Sequence, residues 1–247
     1  MEATGPAPDI RIFETPEEVA HAAADCFTAI ALGSISAEGR FSVALAGGST
    51  PRRAYQLLAT EEYRNRVDWS KVHIFFGDER TVPPTHADSN YRMAEEAMIS
   101  LLPIPLHNVH RIAGRGDAVA NASLYEDDLR TFFDGAPWPR LDLVLLGMGD
   151  DGHTASLFPG TDALREKEAW VVANWVEKLN TFRITLTAPA INHSANVVFV
   201  VTGTGKAERL PEVLRGAPDR LRLPSQLIQP DAGSLVWLVD KAAAARL

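Results

Sequence analysis

The chain has 247 residues, enough for one large α/β domain or two small ones. A chain of this length buries roughly three quarters of its unfolded surface, so it needs no disulfide or metal to fold. Its single cysteine, Cys26, excludes an intramolecular disulfide and a cysteine-based zinc cluster. The net charge of −8, from 24 basic and 32 acidic residues, argues against a nucleic-acid surface, so an anionic ligand must be held by local donors.

The N-terminal stretch MEATGPAPDIRIFE has neither the basic region nor the apolar run of a signal peptide. No segment approaches 18 uninterrupted apolar residues, the length needed to span a membrane. We therefore expect a cytoplasmic protein without a membrane or nucleic-acid partner. The expected assembly is a monomer or at most a weak dimer.

Apolar strand-like runs alternate with helical patterns along the chain. In the first half of the chain they predict a helix over 17–35 that starts at Thr15 and Pro16, a strand over 41–46, a helix over 51–58, a strand over 72–76, a helix over 89–102 capped by Ser89 or Asp88, and a helix over 120–133. In the second half they predict strands over 141–147, 169–175, 182–188 and 196–203, followed by a helix over 205–216 that is interrupted by Pro211. A strand over 235–240 and a last helix over 241–247 complete the prediction.

Strands separated by helices predict a mainly parallel sheet covered on both faces, within a single α/β domain over residues 1–247. Ligands of such sheets bind beyond the carboxyl ends of the strands. Loops that follow strands are therefore the places to look for a functional site.

The first such loop, AGGSTP, joins a buried strand to a helix. Gly47 and Gly48 let the backbone approach a ligand closely, and Ser49 and Thr50 add hydroxyl groups at a helix start. Free N–H groups and the positive dipole end of the helix suit a phosphate. Taken alone, the stretch is equally compatible with a tight turn in which Thr50 is the N-cap.

The second loop, FFGDERT, places Asp78, Glu79 and Arg80 directly after a strand. An arginine oriented by neighbouring carboxylates is suited to binding an anion. A charged, solvated loop explains the same triplet when it is considered alone.

The third loop, LLGMGDDGHTASLFPG, matches G-x-G-x-x-G over residues 147–152. A dinucleotide site is excluded because Asp150 and Asp151 would repel a pyrophosphate and no clean helix follows. The glycines instead allow a folded loop that holds His153 near Asp151, and a histidine with a carboxylate partner is suited to act as a general base. The alternative is a helix-start histidine that bonds only the backbone.

The fourth loop follows the strand over 196–203 and carries Gly203, Gly205 and Lys206 at a helix start. Lys206 is either a second phosphate ligand or a surface lysine. All four loops follow strands of one predicted sheet, so their residues are expected to meet at one edge.

The sequence resembles the 6-phosphogluconolactonase family. The resemblance lies in ALAGGSTPRRAY, FFGDERTVPPTHADSNYRMA, LDLVLLGMGDDGHTASLFPG, RITLTAPAIN and VVFVVTGTGKAE, in that order between about residues 41 and 210. It implies a Rossmann-like three-layer αβα sandwich, similar to glucosamine-6-phosphate deaminase and ribose-5-phosphate isomerase. It also implies 6-phospho-D-glucono-1,5-lactone as substrate, in the second step of the oxidative pentose phosphate pathway, with no cofactor.

The resemblance also implies roles for individual residues. The family's phosphate loop falls on Gly47, Gly48, Ser49 and Thr50, and its helix-start lysine falls on Lys206. Its arginine corresponds to Arg80, and its Asp-Gly-His motif corresponds to Asp151 and His153. Arg183 also matches the family, within the stretch FRITLT. One departure concerns the turn after TLTAPAIN, where relatives often have an arginine–histidine pair. Here the residues are His193, Ser194, Ala195 and Asn196, so no cationic contact is assigned to this turn.

The resulting hypothesis is metal-free hydrolysis. His153, oriented by Asp151, activates the water that attacks C1, and Arg80 stabilises the oxyanion with support from Asp78 or Glu79. A G-x-S-x-G nucleophile elbow is not in the sequence.

Two rival functions remain. A sugar-phosphate deaminase-isomerase shares the fold, but relatives of that class carry Asn-Glu where this chain has Leu157 and Phe158. A non-catalytic sugar-phosphate binder of the transcriptional-regulator type would need a DNA-binding segment, which the sequence lacks and its acidity disfavours.

Overall fold

A computed structural model describes residues 8–247, which form two sheets flanked by helices. The strands are β1 (Asp9–Phe13), β2 (Phe41–Leu45), β3 (Val72–Phe76), β4 (Asp78–Arg80), β5 (Leu143–Leu146), β6 (Val171–Val176), β7 (Thr181–Leu186), β8 (Asn196–Val201) and β9 (Ser234–Asp240). The α-helices are α1 (Pro16–Glu38), α2 (Ser49–Leu58), α3 (Glu61–Arg64), α4 (Asn90–Ala97), α5 (Ala118–Phe132), α6 (Ala188–Asn192) and α7 (Arg209–Arg215).

The central sheet has six strands in the order β1-β9-β8-β5-β2-β3, and every neighbouring pair is parallel. Strand β2 is buried along its whole length, as expected when helices cover both faces of a parallel sheet. The chain order reverses between β5 and β2, so the loops after these two strands border a switch point where ligands bind in such folds. The predicted α/β fold with a mainly parallel sheet is confirmed.

Helix α1 begins where its sequence predicts but ends at Glu38, three residues beyond the predicted 17–35. The Thr15 side chain caps the Glu18 amide, Pro16 occupies the first turn, and Gly39 ends the helix in the left-handed region with φ 75°. By length and composition alone α1 could cross a membrane. It instead packs a buried face of small and aromatic residues, including Val19, against β2, β8 and β9, as a core helix does.

A second sheet departs from the prediction. The strand-like patterns over 169–175 and 182–188 do not join the central sheet but pair with each other as an antiparallel hairpin, β6–β7. The DER triplet, predicted as a loop, forms strand β4, which pairs antiparallel with β7. A three-residue strand is too short to show a period, so only its pairing partner reveals it.

Further differences concern the presence or the ends of single elements. Strand β1 lies in the stretch predicted as a tail, and it adds to the sheet edge through β9. The helix predicted over 89–102 ends at Ala97, and residues 241–247 form turns rather than a helix. Pro211 lies in the first turn of α7, where its missing N–H interrupts nothing. The first seven residues of the predicted 1–247 domain, including much of the stretch read for targeting, lie outside the described residues.

Candidate active site

Four loops meet at the carboxyl ends of neighbouring strands β8, β5, β2 and β3 and enclose a cavity of about 310 Å³. Its walls include eight of the residues singled out in the sequence, which are Gly47, Gly48, Ser49, Thr50, Asp78, Arg80, His153 and Lys206. Three others, Glu79, Asp151 and Arg183, lie behind the wall rather than on it. The expected convergence of the loops is therefore present in the structure.

The loop after β2 turns at Gly48, whose φ of 106° lies in a region that favours glycine. Gly48 is also the N-cap of α2, and no side chain caps this helix end. Helix α2 thus begins at Ser49, two residues earlier than predicted, and the alternative in which Thr50 is the N-cap is wrong. Since Pro51 has no N–H, the free backbone donors of this end belong to Ser49 and Thr50.

The side chain of Thr50 links this loop to the loop after β8. Its Oγ1 lies 2.7 Å from Oγ1 of Thr202, and both residues line the cavity. A buried tyrosine secures the strand end, because the hydroxyl of Tyr55 bonds both the amide and the carbonyl of Ala46 at 3.0 Å. The start of α2 is therefore held rigidly toward the cavity.

The loop after β5 folds tightly around His153. Nδ1 of His153 lies 2.6 Å from Oδ1 of Asp151, and the backbone carbonyl of His153 accepts a hydrogen bond from the amide of Gly149 at 2.8 Å. Because the carboxylate accepts, Nδ1 carries the hydrogen and Nε2 keeps its lone pair for a ligand. A Cβ at Gly149 would lie 2.0 Å from His153 Nδ1, so only glycine leaves room for the imidazole.

The environment keeps Asp151 ionised. The hydrogen bond from His153 is the main cause, with a further contribution from Lys178, and together they hold the pKa of Asp151 well below its usual range. The imidazole, 28% exposed, lines the cavity, whereas the Asp151 side chain, 27% exposed, does not line it. A fixed carboxylate with a free Nε2 is the arrangement that a general base requires.

Lys206 reaches the cavity from the turn after β8, where it forms an ion pair with Asp150. The neighbouring Gly203 has φ 95°, and its amide donates to the buried carboxylate of Asp240 at 3.0 Å. Because Asp150 is exposed, an anion that enters the cavity can replace it as the partner of the Lys206 ammonium group.

Arg80 lines the opposite side of the cavity, and its guanidinium donates to the carbonyl of Asp88. The expected contact of Asp78 or Glu79 with this guanidinium does not occur among residues 8–247. Glu79 instead bonds the Arg80 amide at 2.8 Å, because alternation along β4 directs Glu79 and Arg80 to opposite faces. Asp78 Oδ2 accepts from the Ser156 hydroxyl at 2.6 Å.

Arg183 lies directly opposite Arg80 in the β4–β7 pair. Burial, together with the charge of Arg80, lowers the pKa of Arg183, and within the described chain it forms no ion pair. The two arginines place positive charge on this side of the site, among the carboxylates of Asp78, Glu79 and Asp88.

The comparisons with known proteins assign the chain to a family. The family model described as glucosamine-6-phosphate isomerases/6-phosphogluconolactonase matches residues 14–237. The chain belongs to this family. A 6-phosphogluconolactonase of Nostoc sp. is 45% identical over 217 residues, covering 87% of this chain and 88% of the relative.

Solved structures extend the likeness to three dimensions. A 6-phosphogluconolactonase from Trypanosoma cruzi superposes with a TM-score of 0.86 at 29% identity, covering 100% of this chain and 99% of the other. A monomeric glucosamine-6-phosphate deaminase superposes with a TM-score of 0.80 at 20% identity, covering 97% of this chain and all of the other. That second likeness concerns the fold alone, and it confirms the predicted similarity to the deaminase.

Two further residues of the site, of which only Asn90 lines the cavity, carry no recognisable signal in the sequence. Phe158 stacks on His153, with ring centroids 4.1 Å apart and planes 22° from parallel. Asn90 donates to the Asp78 carbonyl at 2.9 Å, and its buried Oδ1 has no partner among the described residues. A Cβ at Gly47 would lie 2.1 Å from that Oδ1, which explains the first glycine of the GGST loop.

Proposed function

We propose that the protein hydrolyses 6-phospho-D-glucono-1,5-lactone to 6-phospho-D-gluconate, the second step of the oxidative pentose phosphate pathway. The observation that carries the proposal is the pairing of His153 with Asp151 in the same 310 Å³ cavity as the GGST loop and Lys206. The cavity thus offers a base and an anion site within one space suited to a phosphorylated sugar ring.

The 6-phosphate binds at the start of α2. Gly47 and Gly48 give it access to the backbone, the free amides and hydroxyls of Ser49 and Thr50 donate to it, and the helix dipole favours its charge. Lys206 exchanges Asp150 for the phosphate and closes the site from the β8 side.

Hydrolysis proceeds at the other end of the ring. Nε2 of His153 removes a proton from water while the water oxygen bonds to C1, and the carbonyl electron pair moves onto the oxyanion. Arg80 stabilises this oxyanion. When the C1–ring oxygen bond breaks, the protonated His153 returns its proton to the leaving oxygen, which leaves 6-phosphogluconate.

The remaining residues support Arg80 indirectly. Glu79 holds the backbone of β4, Asp78 connects this strand to the catalytic loop through Ser156, and Arg183 adds positive charge beside Arg80. No step is assigned to a metal or a cofactor.

We further propose that the chain works as a single domain, a monomer or weak dimer, in the cytoplasm. Light scattering coupled to gel filtration tests this, and an activity that falls on dilution together with a dimer would contradict it.

The function is tested by following lactone hydrolysis by NMR, with the lactone freshly generated from glucose 6-phosphate because it also opens on its own. The wild type, His153→Ala, the control His21→Ala and a protein-free sample are compared. His21 lies on α1, remote from the cavity. We expect His153→Ala to lower kcat by roughly 10²- to 10⁴-fold, the usual cost of losing a general base, and His21→Ala to retain full activity.

Each outcome is decisive. Acceleration by the wild type and by His153→Ala alike would keep the lactonase and move the base elsewhere. No acceleration by the wild type would overturn the function, and glucosamine 6-phosphate would then be the next ligand to test.

A further inference from the structure

The β6–β7 hairpin of the three-stranded sheet contacts the loop that follows β5. Its tip is a short 3-10 turn, Glu177–Leu179, followed by Asn180 in the left-handed region with φ 48°. This turn carries Lys178 toward the back of the loop that follows β5. The side chain crosses to another element of the fold, so the contact it makes is set by the tertiary structure.

Nζ of Lys178 lies 3.2 Å from Oδ2 of Asp151. The other oxygen of the same carboxylate, Oδ1, is occupied by Nδ1 and the amide of His153, at 2.6 Å and 3.2 Å. The carboxylate is thus divided between a lysine on one side and the imidazole on the other. Glu177, the acidic neighbour of Lys178, is engaged by the indole of Trp175 at 2.7 Å.

We propose that Lys178 is a positioning residue of the lactonase site, which holds the Asp151 carboxylate against His153 and keeps the imidazole in its neutral, basic form at lower pH. The inference rests on the proposed function of His153 as base. Lys178 does not line the cavity that holds His153, and its contact with the site is the ion pair with Asp151.

The physical reason is competition for one carboxylate. Asp151 stabilises the imidazolium form of His153, and a cation on Oδ2 weakens that stabilisation and repels the imidazolium. The lysine side chain is 71% exposed, so solvent screens the effect and a moderate size is expected.

Other charges face this group. Asp150 pairs with Lys206 and accepts from Arg209 through its carbonyl, and Arg80 and Asp78 lie across the cavity. None of these residues changes in the variants below, so their contribution cancels in the comparison.

The test is the titration of His153 followed through its Cε1 proton by NMR, with the signal assigned by its loss in His153→Ala. We expect Lys178→Met to raise the protonation midpoint by roughly 0.2–0.7 pH units, the size expected of an exposed ion pair. Lys178→Arg keeps the cation and restores the wild-type midpoint. The matched control is Lys241→Met, an exposed lysine paired with Glu14 that lines no part of the cavity and is expected to change nothing.

A double-mutant cycle tests whether Lys178 affects His153 through the Asp151 carboxylate. In an Asp151→Asn background, Lys178→Met should move the midpoint clearly less than in the wild type, because the shared carboxylate is gone and only the direct repulsion between the two cations remains. The acid limb of the kcat/KM profile should follow the same shift while KM for the lactone is unchanged. An unchanged midpoint in Lys178→Met, or an equal shift in Lys241→Met, would overturn the inference.

The titration needs no substrate, so the two proposals fail separately. If the wild type does not hydrolyse the lactone, the proposed function fails while the midpoints still report on Lys178. If hydrolysis is present and the midpoints coincide, the function stands and the role of Lys178 is wrong.

Discussion

At the scale of single residues, the properties of His153 depend on three neighbours. Asp151 sets the tautomer from the Nδ1 side, Gly149 leaves the space that the ring occupies, and Phe158 covers one ring face. These contacts fix the imidazole from three directions, so little reorganisation is needed when it takes a proton. The basic nitrogen is consequently aimed by packing as well as by its hydrogen bond.

Phe158→Leu tests the contribution of the stacked ring. We expect kcat to fall about 2- to 10-fold with KM nearly unchanged, because an aromatic pair contributes about 0.5–1.5 kcal/mol beyond its buried area. Steady-state kinetics on freshly generated lactone measures this, with Phe182→Leu as the control because Phe182 is an exposed ring outside the cavity. A full kcat in Phe158→Leu would show that stacking does not position the base.

At the scale of elements, the three-residue strand β4 separates two tasks by the alternation of its side chains. Asp78 and Arg80 lie on the cavity side, whereas Glu79 lies against the start of α4. The Glu79 carboxylate accepts from the amides of Asn90 and Tyr91, both at 2.8 Å, and from the Ser89 hydroxyl at 2.9 Å. Burial is the largest influence on this carboxylate and raises its pKa despite these donors.

Glu79→Gln is expected to lower the free energy of unfolding by about 1–3 kcal/mol. Each carboxylate oxygen of Glu79 accepts from two donors, and the amide nitrogen of glutamine cannot accept, so two of the four donors lose their acceptor. Urea unfolding measures the change, and Glu61→Gln on the exposed side of α3 should remain within about 0.5 kcal/mol of wild type. Equal stabilities of the two variants would mean that α4 does not depend on this cap.

At the scale of the whole molecule, the site is assembled from strand ends far apart in sequence. The loops after β2 and β8 touch through Thr50 and Thr202, and Lys206 of the β8 loop pairs with Asp150 of the β5 loop. A ligand that bridges these loops binds only the folded chain. Ligand affinity is therefore linked to global stability.

The product, 6-phosphogluconate, should accordingly stabilise the protein. At a concentration 100 times its Kd, the linkage is about 2.7 kcal/mol, which for a chain of this size raises Tm by about 5–10 °C. Calorimetry measures the shift, and Lys206→Ala should lose most of it at the same ligand concentration because one phosphate partner is gone. A shift of the same size in Lys206→Ala would remove Lys206 from the phosphate site.

Much of the architecture was accessible from local patterns. The alternation of apolar strands and helices predicts the parallel sheet, and glycines directly after four strands predict the edge where the loops meet. The small sheet escaped prediction because β4 is too short to show a period and the β6 and β7 patterns do not reveal which sheet they join. Asn90 and Lys178 escaped because their contacts are made across elements, and Phe158 escaped because ring stacking within the loop after β5 has no sequence signature.

The sequence by itself determined most of the order of strands and helices, the glycine-rich loops, the nearness of Asp151 to His153 and the family to which the chain belongs. These features follow from interactions between residues close along the chain, which composition and spacing record. Only the tertiary structure decided that Glu79 supports α4 rather than the Arg80 guanidinium, that Lys206 pairs with Asp150, and that Lys178 shares a carboxylate with the proposed base. Those contacts join separate elements, and their partners are set by how the sheets pack.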